Sequence, residues 1–384
     1  MSEWSTPDVA PLIAKHQDTN AAPADESEWQ NQTVSRMRSA LQQFQLNSKL
    51  LGTVLTPNAI LLKFQGATNM TVDHILKRRS EFLTTHGLNI ISVRPEAGAV
   101  SVAVARPNRQ VLQMLDVWSR WHPATTHGNV KLLIGVQEEN SELLFISPAD
   151  NAPHTLIAGT TGSGKSVLVQ NILLAIACTN TPIQSKIILI DPKRGVDYFA
   201  FADLPHLDGG IIDEQGAAIE KLTNLVGEMD RRYEVLRRNK VGDIYRLNAK
   251  SDASEHLPYL WIIHDEFAEW MMTDTYRDAI ANIVSRLGVK ARAAGIFLFF
   301  AAQRPDADVM PMQLRANLGN RLVLKVDSEG TSEISLGERN GGAERLLGKG
   351  HLAAKLVNVP SITFAQVPLI SDEDIAQLVS ALGG

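Results

Sequence analysis

The stretch from His154 to Ala177, HTLIAGTTGSGKSVLVQNILLAIA, restricts what this chain can become more than any other. A short apolar run ends at Ala158, Gly159 to Ser166 read G-T-T-G-S-G-K-S, and an apolar helical run follows. This is the phosphate-loop pattern GxxxxGK[ST] in the setting it needs, after a strand and at the start of a helix. Glycines let backbone N–H groups converge on a phosphate, and the helix start adds favourable dipole charge. The expected nucleotide contacts are Gly159, Thr160, Thr161, Gly162, Ser163, Gly164, Lys165, Ser166 and Val167. Lys165 is expected on the β- and γ-phosphates and Ser166 on a magnesium ion.

A loop of this kind does not say what the nucleotide drives. The strands around it say more. Leu260 to Ile263 are apolar and lead into His264, Asp265 and Glu266. An aspartate at the end of a buried strand suits magnesium, and an adjacent glutamate suits an attacking water. The run GIFLFFAAQ ends in Gln303, a neutral group able to sense a γ-phosphate or orient water. Three strand ends meeting at one edge of a parallel sheet favour hydrolysis over simple binding. The alternative reading of the acid pair is a helix cap.

Strands alternating with helices predict a mostly parallel sheet covered on both faces, over residues 130–370. KLLIGV and ELLFIS are expected as a hairpin, KIILI and YLWIIH as strands, and RLVLKV as a last strand. Long helices are expected over 214–249, with a bend at Gly227, and over 275–294. Residues 31–125 read as a small α+β domain. Its parts are a helix over 33–45, a strand in AILLKFQG, a helix capped by Thr71 and stopped by Gly87, and two strands joined by a turn over 95–98. Residues 1–30 are expected to be flexible and 371–384 to carry a short helix.

Formal net charge is −5, so the chain is not a bulk polycation. Nucleic-acid binding then needs a local basic surface or a ring that concentrates cations. Residues 231–250 hold seven basic and two acidic residues. That segment reads equally as a channel lining or a solvated helix end, with a subunit interface as the third reading. The single cysteine, Cys178, permits neither an intrachain disulfide nor a cysteine metal site and reads as a core thiol. No secretory leader stands at the start, and no run approaches ~18 apolar residues. The expectation is a cytoplasmic chain without a membrane partner.

The wording of the chain resembles the motor region of the FtsK–SpoIIIE family of DNA translocases. The shared stretches are PHTLIAGTTGSGKSV, LIDPKR, EMDRRYEVL, DEFAEWMM, KARAAGIFLFFAAQRPDADV, ANLGNRLVLKV and GGAERLLGKGHL. The resemblance runs over roughly residues 50–360, and 51–108 resemble the small domain ahead of that motor. It implies a RecA-like P-loop NTPase core, ATP and Mg2+ as cofactors, and a ring, usually a hexamer, that pulls double-stranded DNA through its centre. It makes Asp265 the magnesium aspartate, Glu266 the catalytic glutamate and Gln303 the sensor. An arginine from the neighbouring subunit completes such a site. Arg292, Arg315 and Arg321 are the candidates, with Arg321 preferred. His264 departs from the family's commoner apolar or acidic residue. The membrane helices and winged-helix domain of many members are not expected here. A mobile-element, DNA-transfer or defence setting fits, with an effector or DNA-processing protein as a further partner. Rival readings are a pump for single-stranded DNA, a nucleotide-gated scaffold that recruits a nuclease, and an ATPase acting on a protein.

Overall fold

The computed structural model describes residues 26–383 except 47, 124–126, 151, 251–255, 289 and 307–309. Residues 1–25 of the expected flexible segment lie outside the described residues. Residues 26–30 are helical, because the first helix spans Glu26–Gln43 and starts a full turn and more before the expected position.

The first unit is a four-stranded antiparallel sheet of β1 (Leu50–Leu55), β2 (Ala59–Gln65), β3 (Ile90–Glu96) and β4 (Ala99–Ala105), ordered β1-β2-β4-β3. Alternation explains its two faces. Ile60, Leu62 and Phe64 point with Val100, Val102 and Val104 toward Met37, Leu41, Ile75 and Phe82 of the helices. Ala59, Leu61, Ile91 and Ala103 point the other way and receive Leu347 from the larger unit. The helix capped by Thr71 breaks at Arg78 into Val72–Lys77 and Arg79–His86, and Gly87 at φ 67° ends it. Strand β1 was not foreseen. It is an edge strand with an exposed middle, so it carries no apolar alternation to read.

The second unit is a ten-stranded sheet. Its remaining strands are β5 (Leu132–Gln137), β6 (Leu143–Ile146), β7 (His154–Ala158), β8 (Ser185–Ile190), β9 (Leu207–Ile212), β10 (Tyr259–His264), β11 (Ile296–Ala302), β12 (Asn320–Val323), β13 (His351–Lys355) and β14 (Thr363–Gln366). The order is β6-β5-β14-β13-β12-β7-β11-β10-β8-β9. From β12 to β9 neighbours run parallel, and from β6 to β12 they run antiparallel. The parallel half is the RecA-like core expected from the sequence, and β5 with β6 form the expected hairpin.

The parallel strands read as unbroken apolar runs because both faces are covered. Trp261, Ile263, Phe297 and Phe299 pack with the apolar residues of helix Lys165–Ala177 on one face. Ile188, Ile262, Leu298 and Phe300 pack on the other face with helices Gln215–Arg238 and Asp274–Leu287. Truncating one such ring to alanine costs ~3–5 kcal/mol.

Both long helices are shorter than expected. The helix over 214–249 ends at Arg238 and resumes only as Ile244–Asn248, and Gly227 lies inside its unbroken first part. Val241 and Gly242 interrupt it, and Asp243 caps the new helix by accepting from Arg246 N at 2.8 Å. The helix over 275–294 stops at Gly288, whose φ of 33° and ψ of −135° do not continue a helix. The terminal helix, Asp372–Gly383, buries Ile375, Leu378, Val379 and Leu382 in the large core. Cys178 is a buried core thiol, and burial raises its pKa. Among the described residues, no helix is long and apolar enough to cross a membrane.

Candidate active site

Register brings the strand ends together. Ala158 pairs with Ala302, Phe300 with His264, and His264 with Ile190. Gly159, Gln303, Asp265 and Asp191 therefore leave neighbouring strands along one edge, at the point where the parallel order turns back on itself.

The loop after β7 is held open by backbone. Gly162 and Gly164 sit at φ 75° and 102°, where a side chain is strained. A Cβ on Gly164 would lie 2.6 Å from Gly350 N, so the loop approaches the turn before β13 too closely for any other residue. Gly350 N donates to Ser163 O at 2.7 Å, and Thr160 N donates to Lys325 O at 2.9 Å. The loop is thus braced on β12 and β13, leaving its inner face toward a cavity of about 930 Å³. Thr160, Thr161, Gly162, Gly164, Lys165, Ser166 and Val167 line that cavity. Gly159 and Ser163 stand behind them.

Lys165 is buried between two carboxylates. Its Nζ pairs with Asp265 Oδ1 and lies 2.5 Å from Glu266 Oε1. Burial alone would lower the pKa of the ammonium, but the two carboxylates outweigh it and leave the pKa raised. Asp265 is held further by Tyr198, whose hydroxyl donates to Oδ2 at 2.6 Å. Burial, with the charge of Asp265, pushes the Tyr198 phenol well above its ordinary pKa, so it remains a donor. Glu266 has the left-handed conformation, φ 44°, and Lys193 Nζ lies 3.8 Å from its Oε2. Ser166 Oγ donates to Asp197 Oδ2 at 2.9 Å, and Thr161 Oγ1 donates to Gln303 Oε1 at 3.2 Å. Lys165, Asp265, Glu266, Ser166 and Gln303 are therefore gathered at one place, as expected.

His264 explains itself in the structure. The ring is wholly buried among Phe267, Trp270, Tyr276 and Phe300. Nδ1 is 3.0 Å from Asp265 O and Nε2 is 2.6 Å from Tyr276 OH. Burial lowers its pKa to about 4, so the ring is neutral and ties the turn carrying the acids to helix Asp274–Leu287.

Arg321 is held within its own chain. It lies in β12 with 9% exposure, donating to Arg315 O at 2.5 Å and Ser335 O at 3.3 Å. Burial lowers its pKa to about 10. Its guanidinium braces its own chain. Arg292 is exposed but lines a different cavity, with Lys131, Asp150 and Tyr245. The basic segment is also less free than its composition suggests. Arg231 and Arg232 pair with Glu228, Arg237 with Glu234, and Arg246 with Asp243. Arg232 is buried and donates to Ala294 O at 2.7 Å.

Tyr198, Asp197, Asp191 and Lys193 were missed. Asp191 follows β8 just as Asp265 follows β10, and that parallel was present in the sequence. It accepts from Lys193 N at 3.0 Å and Gly195 N at 2.8 Å, which shapes the turn carrying the other three.

The FtsK/SpoIIIE family model matches residues 118–307, the stretch that carries all three strand ends. A DNA translocase FtsK of Campylobacter jejuni (strain 81-176) is 30% identical over 356 residues, covering 91% of this chain. The chain belongs to the FtsK/SpoIIIE family. A second relative, DNA translocase FtsK of Borreliella burgdorferi, is 34% identical over 328 residues and covers 82% of the chain. The chain spans only 37% and 40% of the length of these two relatives. The solved structure of the pCW3 conjugation coupling protein TcpA, in monomer form with ATPgS, matches with a TM-score of 0.63 at 22% identity. It covers 91% of this chain and 99% of that one. That likeness establishes a shared fold for both units of this FtsK/SpoIIIE chain.

Proposed function

We propose that this chain is an ATP-driven motor for double-stranded DNA that works as a ring, a hexamer by family expectation. The observation that carries the reading is Lys165 on the phosphate loop, drawn between Asp265 and Glu266. A lysine in that position is an ammonium waiting for a stronger anion. When nucleotide phosphates arrive at Gly159–Ser166, Lys165 exchanges its carboxylate partners for phosphate oxygens. Glu266 is then released to accept a proton from water, with Gln303 beside it to orient that water or sense the γ-phosphate.

The donors suit magnesium. The Ser166 hydroxyl and the Asp265 carboxylate are hard oxygens, and magnesium keeps water and phosphate as its other ligands. When bound, the ion would neutralise charge on the phosphates. ATP sits between subunits in this reading, so a neighbour supplies an arginine. Arg292 and Arg315 remain candidates. DNA contact goes to phosphates, which need no base-reading element.

The test is steady-state ATP hydrolysis without DNA, with linear duplex and with single strand, at matched salt. Wild type and Lys165→Ala are compared. Duplex stimulation lost in the variant is the expected result. A preference for single strand favours the pumping alternative. Indifference to both, from assembled protein, would sink the DNA motor and favour a nucleotide-gated scaffold or a protein substrate.

A further inference from the structure

We propose that the chain joining the two units, Pro107–Leu112, forms the nucleoside end of the nucleotide site, with Val111 and Leu369 as its apolar contacts. This inference rests on reading Gly159–Ser166 as the phosphate site. A nucleotide has two unlike ends. The phosphates need N–H groups and cations, and the base needs flat apolar contact with a few amide partners.

The cavity has both. Lys165, Ser166, Lys193 and Gln303 line it beside the phosphate loop, and Gln110, Val111, Gln366 and Leu369 also line it. Val111 and Leu369 are 55% and 44% exposed. Single exposed apolar residues are ordinary on a surface. Two in one cavity, with Leu369 bonded through its backbone to Leu112, the residue after Val111, are a built feature.

The backbone shows the construction. Ser163 O accepts from Gly350 N at 2.7 Å, and Gly350 O accepts from Val367 N at 2.8 Å. Two residues further on, Leu369 N donates to Leu112 O at 2.7 Å, and Leu369 O accepts from Met114 N at 2.7 Å. A continuous path of short hydrogen bonds thus runs from the phosphate loop to the joining segment. Arg109 locks that segment in place. Its guanidinium donates to Gly348 O at 2.9 Å, to Gln366 Oε1 at 3.1 Å and to Asn58 Oδ1 at 2.8 Å. Asn58 belongs to the turn between β1 and β2. A base seated on Val111 therefore rests on a segment tied directly to the small domain.

The test uses the full chain and calorimetric binding of ATP and of inorganic tripolyphosphate, which lacks a nucleoside. Val111→Ser and Leu369→Ser, singly and together, change apolar contact and leave charge unchanged. Both side chains are exposed, and an unchanged unfolding midpoint verifies the fold. The double variant is expected to weaken ATP about tenfold, the size of a lost apolar contact of ~1.4 kcal/mol, and to leave tripolyphosphate binding unchanged. Lys165→Ala is expected to weaken both ligands. If the double variant leaves the ratio of ATP to tripolyphosphate affinity unchanged while Lys165→Ala weakens both, the nucleoside subsite is overturned and the phosphate reading stands. If wild type binds neither ligand, both fall.

Discussion

Two regions of this molecule hold buried charge in different ways. At the edge of the large sheet, Lys165 lies between Asp265 and Glu266 and also lines a cavity. At the seam between the units, Glu138 is wholly buried and its Oε1 meets Asn58 Nδ2 at 2.9 Å and His351 Nε2 at 3.1 Å. Arg94, whose guanidinium lies 4.7 Å over the ring of Phe364, adds a favourable charge. The partners at the edge are exchangeable, because an anion in the cavity competes for Lys165. The partners at the seam come from three separate elements and face no such competitor. Burial and ionisation alone do not mark a functional group. Access to a cavity does.

The largest expected effect breaks the edge without breaking the fold. Glu266→Gln should lower hydrolysis by about 10²–10⁴-fold, with ATP still bound and the unfolding midpoint close to wild type. A large loss of stability with hydrolysis intact would reverse the comparison. Next is Glu138→Ala, which leaves Asn58 and His351 without their acceptor in the interior. Urea unfolding should show a loss of ~3–5 kcal/mol, while the folded fraction retains hydrolysis near wild type.

Acidity should separate the seam from another part of the larger unit. His154 and His206 are buried neutral, and burial lowers each pKa from 6.5 to about 4. The unfolded chain binds these protons first, so stability is full above pH 6.5, falls as pH drops toward 4 and then levels. Each contributes on the order of 2–3 kcal/mol. Burial would raise the pKa of Glu138, but His351, Asn58 and Arg94 together leave it lowered. The seam therefore holds its charge until below the ordinary carboxylate range, and urea titrations across pH should show the histidine-driven fall before any loss from the seam. The smallest effect is Arg231→Ala. Its pair with Glu228 is half exposed, and thermal melting should register no more than ~0.5 kcal/mol.

Strand ends were legible because each is a contiguous word. Asp265 and Glu266 follow an apolar run after His264, and Gln303 follows another. In the antiparallel half the β5–β6 hairpin was legible, and β13 and β14 were not. Strands β13 and β14 are short, and their pairing depends on partners far away in the chain. Helix ends were misjudged where Gly288 and Gly242 stop an otherwise favourable pattern.

By itself the sequence determined the phosphate loop, most of the parallel strands with their helices, and the acids at the edge. Each is a local pattern, set by backbone freedom at glycine or by apolar period. Only the tertiary structure decided which charges are free. Arg232 reads as part of a basic segment and Arg321 as a candidate for a neighbouring site, and both are interior braces. Tyr198, unmarked in the sequence, is a hydrogen-bond donor to Asp265. Glu138, equally unmarked, is a buried link between the two units. Charge is a property of one residue, but its solvation and its partners belong to the whole packed chain.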